Sequence, residues 1–122
     1  MEAIHSDEYS SVALADASVV QICMRGRATD EQWKTLRYVL VALYTQLSNA
    51  SQRFRIVCDM THVDLTFTHI CSMIVLMREL KPILQRLNDG TRLVLSSQSK
   101  RFVDLLLSLY TPGGPLEVVS TD

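Results

Sequence analysis

Residues 59–68 crowd together the side chains from which an acid–base or nucleophilic site is built: Asp59, His62, Asp64, Thr66 and Thr68. A nucleophile needs a base within hydrogen-bond reach, and the base needs an orienting group. His62 with Asp59 or Asp64 supplies such a pair, and Thr66, Thr68 or Ser97 the hydroxyl. The same stretch has a plainer reading, in which Asp59 caps a loop, His62 is solvated and the threonines cap a helix. No G-x-S-x-G elbow, Walker loop or G-x-G-x-x-G accompanies it. No catalytic residue is therefore assigned, and the chain is expected not to be an enzyme. Asp59, His62, Asp64 and His69 are also metal-ligand types, but their spacing matches no ligand pattern. Neither a metal nor a cofactor is expected.

A second set of polar groups lies where strands hand over to helices. In open α/β sheets ligands bind at the carboxyl ends of the strands, and three segments answer that description: residues 25–30, 59–68 and 96–100. Arg25, Arg27, Ser97, Ser99 and Lys100 would there meet free helix-terminal amides, an arrangement suited to a phosphate or nucleotide. Apart from Gly26, the glycines that let backbone approach a phosphate are missing.

The elements that would position these groups are legible from the apolar pattern. Residues 1–10 are polar and read as a loose lead-in, leaving residues 11–122 as a single domain. Val12–Ala15 and Val19–Met24 read as a hairpin. Thr29-Asp30-Glu31-Gln32 is a capping box, and Trp33, Leu36, Val39, Leu40, Leu43, Tyr44 and Leu47 follow at helical spacing over residues 30–47. Phe54–Cys58 is a near-continuous apolar run, the mark of a central strand covered on both faces. From Thr68 a second helix begins, with Pro82 expected to kink or break it and Asn88-Asp89-Gly90 to stop it. Arg92–Ser96 is the next strand. Ser97–Lys100 caps a last helix through Phe102, Val103, Leu105, Leu106 and Leu109, Thr111–Pro115 breaks it, and Leu116–Val119 is a final strand. The result is an α/β sheet of four to five strands, largely parallel in its middle, with three main helices.

The second helix is apolar around most of its girth, from Ile70 through Met77, whereas a helix on a small sheet needs one apolar stripe. Met73 and Leu76 widen the stripe, so they either pack under a neighbouring helix or form a contact surface. A protein partner is the expectation, and a homodimer built through this helix is left open. The net charge of −1 over 122 residues gives no field for nucleic acid, and no apolar run is long enough to span a membrane. Cys23, Cys58 and Cys71 are an odd number without a close C-x-x-C pair and read as buried, reduced thiols. A cytoplasmic location follows.

The segments Ile22–Asp30 (ICMRGRATD), Ile56–Val63 (IVCDMTHV), Gly90–Leu95 (GTRLVL) and Phe102–Leu109 together resemble a STAS domain, the fold of anti-sigma factor antagonists such as SpoIIAA and of sulfate-transporter tails. The likeness runs over Val19–Val119. It implies a regulatory, protein-binding module whose partner surface is the segment ahead of the second helix: Asp59, His62, Asp64, Thr66, Phe67 and Thr68, with Met73 on the helix. Such antagonists carry Asp-Ser-Ser/Thr-Gly-Leu at that helix start and are phosphorylated on the hydroxyl. Here the place reads Thr66-Phe67-Thr68-His69-Ile70, so the aspartate and glycine are gone and Thr68 is the nearest match to the phosphoacceptor.

Overall fold

The computed structural model describes residues 2–16, 18–109 and 115–121. Six strands and three helices alternate after an N-terminal meander: β1 (Glu2–Ser6), β2 (Ser10–Ala15), β3 (Val19–Gly26), α1 (Asp30–Asn49), β4 (Phe54–Val63), α2 (Phe67–Leu87), β5 (Asn88–Leu95), α3 (Ser97–Leu109) and β6 (Leu116–Ser120). The strands lie in chain order in one sheet, β1-β2-β3-β4-β5-β6. β1 and β2 run antiparallel to their neighbours, and β3 to β6 are parallel.

The hairpin expected at Val12–Met24 is β2 and β3, paired from Ser10↔Met24 to Ala15↔Val19. Its turn passes through Asp16 in the left-handed region, φ 52, a conformation Asp tolerates better than most residues. Residues 2–10 are not a loose lead-in. Glu2–Ser6 pairs with β2, and Tyr9 and Ser10 are buried. The connection is built on Asp7, whose Oδ1 accepts the N–H groups of Tyr9 and Ser10, each at 2.8 Å. That Asx arrangement closes a turn without glycine, and the added edge strand makes six strands rather than four to five.

β4 is central, between β3 and β5, as its apolar run implied. Phe54 is 1% exposed, and Ile56, Cys58 and Met60 follow it into the core. Its two faces are not both covered, however: Arg55 is exposed and Val57, Asp59 and Thr61 are half-buried. The reason is topological. Parallel strands laid down in order with crossovers of one hand place every helix on the same side. α1, α2 and α3 accordingly meet the same row of strand side chains around an apolar void of about 140 Å³, lined among others by Met24, Leu36, Cys58, Leu76 and Val103. Among the described residues no helix lies on the opposite sheet face.

Three further boundaries differ from expectation. β4 runs on through Met60-Thr61-His62-Val63, so the polar stretch 59–68 is half strand, and only 64–66 separate it from α2. Pro82 neither breaks nor ends α2, which is one helix from Phe67 to Leu87; Pro82 and Arg78, the residue whose carbonyl a proline there cannot serve, are both exposed. Asn88 ends α2 and opens β5 without a turn between, its side chain bonding Thr91 Oγ1 and Gly90 N. The break expected at Thr111–Pro115 lies outside the described residues except for Pro115.

Candidate functional site

β4 carries a bulge near its carboxyl end. Cys23 pairs with Asp59 and Arg25 with His62, two steps along β3 against three along β4. Asp59 holds it, its Oδ1 accepting Thr61 N at 3.0 Å and Thr61 Oγ1 at 2.6 Å. These bonds, with the nearby His62, hold the Asp59 carboxyl below its usual range against a smaller opposing effect of burial. The extra residue puts Thr61 and His62 together outside the core, between buried Met60 and Val63. Asp59 and Thr61 are thus engaged with each other, and His62 is exposed.

Beyond the bulge the chain is tied to the end of β3. Gly26 takes φ +66, which favours glycine, and its carbonyl accepts Asp64 N at 2.8 Å. Arg27 grips Asp64 Oδ2 through Nε and Nη2, at 3.1 and 2.8 Å. Both side chains are more than half exposed, so the pair adds at most about 1 kcal/mol. Thr66 then caps α2, its Oγ1 accepting His69 N at 3.1 Å. Unlike α1, where Thr29 and Gln32 form the full expected box behind Asp30 and Glu31, α2 has no acidic residue in its first turn.

The anion set is not gathered. Arg27 is spent on Asp64. Arg25 turns to the N-terminal meander, donating to Asp7 O at 2.8 Å and to Cys23 Sγ at 3.7 Å. A polar cleft of about 310 Å³ does open at the carboxyl ends of β4 and β5, lined by Thr61, His62, Asp64, Ser96, Gln98 and Ser99 among others. Of the five expected anion ligands only Ser99 reaches it; Ser97 and Lys100 stand in the first turn of α3 away from its lining. No cluster of His, Cys, Asp and Glu able to hold a metal occurs among the described residues.

Beside the site, exposed apolar surface lies on α2, but not at the residues that the widened stripe pointed to. Leu76 is core, with Leu80, Leu84 and Leu87, and Met73 is half-buried against it. On the opposite side Phe67 is 80% exposed, Val75 58%, and Cys71 between them is exposed too. These three stand at i, i+4 and i+8, one line along the helix, with half-buried Ile70 and Ile74 beside it. The spacing was in the sequence; its phase was not, because that depends on which side of α2 meets the sheet. Thr68 is exposed beside Phe67. The thiols differ accordingly: Cys58 is buried and pushed up to about 12 by burial, with Asp59 and Cys23 adding to it, Cys23 is half-buried, and Cys71 is at the surface rather than in the core.

One buried contact under this helix start escapes sequence reasoning altogether. Tyr9 Oη lies 2.6 Å from His69 Nε2, across sixty residues of chain. Two elements built from unremarkable residues, MEAIHSDEYS and TFTHI, meet there.

This architecture is the SpoIIAA-like, or STAS, fold. A chain of the crystal structure of the diguanylate cyclase SiaD in complex with its activator SiaC, from Pseudomonas aeruginosa, matches with a TM-score of 0.67 at 12% identity, over 99% of this chain and 100% of that one. SiaC of Pseudomonas aeruginosa matches with a TM-score of 0.64 at 12% identity, over 97% of this chain and 99% of that one. An uncharacterized protein of the DUF3478 family from Shewanella loihica, with a SpoIIAA-like fold, matches with a TM-score of 0.64 at 10% identity, over 97% and 93%. No family model and no curated protein matches the chain. No helix among the described residues is long and apolar enough to cross a membrane.

Proposed function

We propose that the protein is a non-enzymatic regulatory module that binds another protein through the start of α2. The observation that carries this reading is Phe67, 80% exposed at the first position of α2 and followed by Cys71 and Val75 along the solvent side. A large aromatic held in water by a rigid helix is a ready anchor for a partner's pocket. His62, Asp64 and Thr68 would form its polar rim. Asp59 and Thr66 act from behind, through the bulge and the cap, and Met73 supports the helix from the core side. The likeness to SiaC, an activator seen in complex with SiaD, favours the same class of role. Three thiols without disulfide partners suit a reducing, cytoplasmic setting.

Thr68 is the residue we assign as phosphoacceptor, if the module is switched in that way. A phosphate there would sit at a helix N-terminus carrying no acidic side chain in its first turn, where the dipole favours it. It would also place a double charge beside Phe67. Pull-down with wild type, Phe67→Ala and Thr68→Glu tests the surface: a partner held by the wild type and lost from both variants supports it, and unchanged recovery by both overturns it. Light scattering separates a homodimer from a heterologous partner. An anion at the 310 Å³ cleft is the second reading, favoured by its place at the strand ends; a dose-dependent thermal shift with phosphate or nucleotides would select it.

A further inference from the structure

The first turn of α2 is pinned from below by a buried polar group. His69 is 9% exposed and Tyr9 2%. The Tyr9 hydroxyl has one proton and two acceptors in reach, His69 Nε2 at 2.6 Å and Met24 Sδ at 3.3 Å, and the nitrogen is the stronger acceptor. Burial raises the phenol's pKa far above neutral, with Cys58 and Asp7 adding to it, so the hydroxyl stays protonated and donates. The Trp33 ring meets the imidazole nearly edge-on, centroids 5.2 Å apart.

Among the described residues no charged group acts on the imidazole; burial alone shifts it. The side chains against it are Tyr9 from the β1–β2 connection and Trp33 from α1, with Met24 of β3 behind the Tyr9 hydroxyl, none of them anionic. Asp7, the acid that acts on Tyr9, has its carboxylate already occupied by Tyr9 N, Ser10 N and His5, and Arg25 bonds the Asp7 carbonyl. The Cys58 thiol stays neutral, and Asp30 and Glu31 in the first turn of α1 are exposed. His69 also stands in the first turn of its own helix, the positive end of the dipole. Burial holds its pKa below the ordinary 6.5.

We propose that the Tyr9–His69 hydrogen bond is a pH-dependent latch between the N-terminal meander and the start of α2. With a neutral imidazole the latch is closed and Phe67 is held on an ordered turn. When Nε2 takes a proton from water it can no longer accept the Tyr9 hydroxyl, whose proton must turn to the weaker acceptor Met24 Sδ; the buried imidazolium gains by leaving its pocket for solvent, which loosens residues 67–71. Regulation of the partner face rests on the reading given above; the latch itself belongs to the isolated chain and can be tested without any partner.

Amide hydrogen exchange between pH 7.5 and 5, corrected for the intrinsic rate, reads it directly. Protection of the amides at residues 69–71 is expected to fall by up to about tenfold per pH unit below about 6.5, and to stay weaker throughout than that of Phe54–Cys58. His69→Gln should remove this pH dependence, and Tyr9→Phe should move its midpoint toward the ordinary imidazole value. Should either variant fail to fold, the NMR titration of the His69 ring in the wild type decides. A midpoint at or above 6.5 overturns the proposal. So does the same pH slope in His69→Gln, or loss of protection in α2 and β4 together at equal rates, which would mean whole-chain unfolding. Loss of partner binding in Phe67→Ala has no bearing on any of these outcomes.

Discussion

α1 and α2 are helices of nearly equal length, 20 and 21 residues, laid side by side on one face of one sheet. Each buries five residues at helical spacing, and an ion pair, Arg37 with Glu79, joins them at the surface. Their starts differ. α1 opens with a complete capping box and two acidic residues, the arrangement that most favours a helix end. α2 opens with a threonine cap alone, an aromatic residue in water, and a histidine folded under the turn against Tyr9. The capping box and the acidic pair account for the start of α1 by stability alone; a phenylalanine 80% exposed at the start of α2 adds nothing to that end. The partner reading proposed above rests on that contrast.

The contrast makes graded predictions. The buried sides should be equivalent. Leu36→Ala and Leu80→Ala each remove a core leucine, and each should cost about 2–5 kcal/mol in denaturant unfolding. A large gap between them would mean that the two helices do not share one core. The pH response should separate the starts. The folded His69 pKa lies below the ordinary value, so the unfolded chain binds more protons below about pH 6.5 and stability falls as pH drops through that range. His69→Gln should abolish that component. At lower pH the carboxylates act in the same direction. Burial raises the Asp7 pKa, but its bonds from Ser10, Tyr9 and His5 outweigh this, and Asp59 is lowered by Thr61, so their stabilisation is lost as pH falls through their folded values.

Caps give the next step down. Replacing Thr29 and Gln32 together by Ala removes both halves of the box on α1 and should cost about 1 kcal/mol or more, and Thr66→Ala, losing one bond, should cost less. The reverse order would show that the start of α2 is the more strongly held. Smallest of all is Phe67→Ala, expected within about 0.5 kcal/mol of wild type because the ring packs on nothing that folding needs. A large destabilisation would return Phe67 to a structural role.

What could be read in advance follows from range along the chain. The stripe of α1, its capping box and the central place of β4 are local patterns, and each is found where it was expected. β1 is short, polar and at an edge, with too few apolar residues to mark it as a strand. The continuation of β4 past Asp59 hides in a bulge, where Thr61 and His62 both face out and break the alternation that marks a strand. The run Phe54–Cys58 suggested cover on both faces, but crossover handedness put all three helices on one. At the site, the loop expected over 59–68 shrinks to 64–66, with 59–63 in β4 and Phe67 and Thr68 already in α2. The surface itself was misphased, with Leu76 and Met73 on the core side and Cys71 and Val75 on the outside, since helix phase is set by tertiary packing. Tyr9 against His69 had no local signal at all.

The central claim, that Phe67 is exposed for a partner rather than by chance, is tested most directly against a second exposed aromatic. Tyr38 on α1 is 74% exposed and serves as the matched control. Partner recovered by the wild type should be measured by quantitative pull-down against Phe67→Ala and Tyr38→Ala, both at wild-type stability. The account predicts that Phe67→Ala loses the partner and Tyr38→Ala retains it. Retention by Phe67→Ala, or equal loss from both, would contradict it.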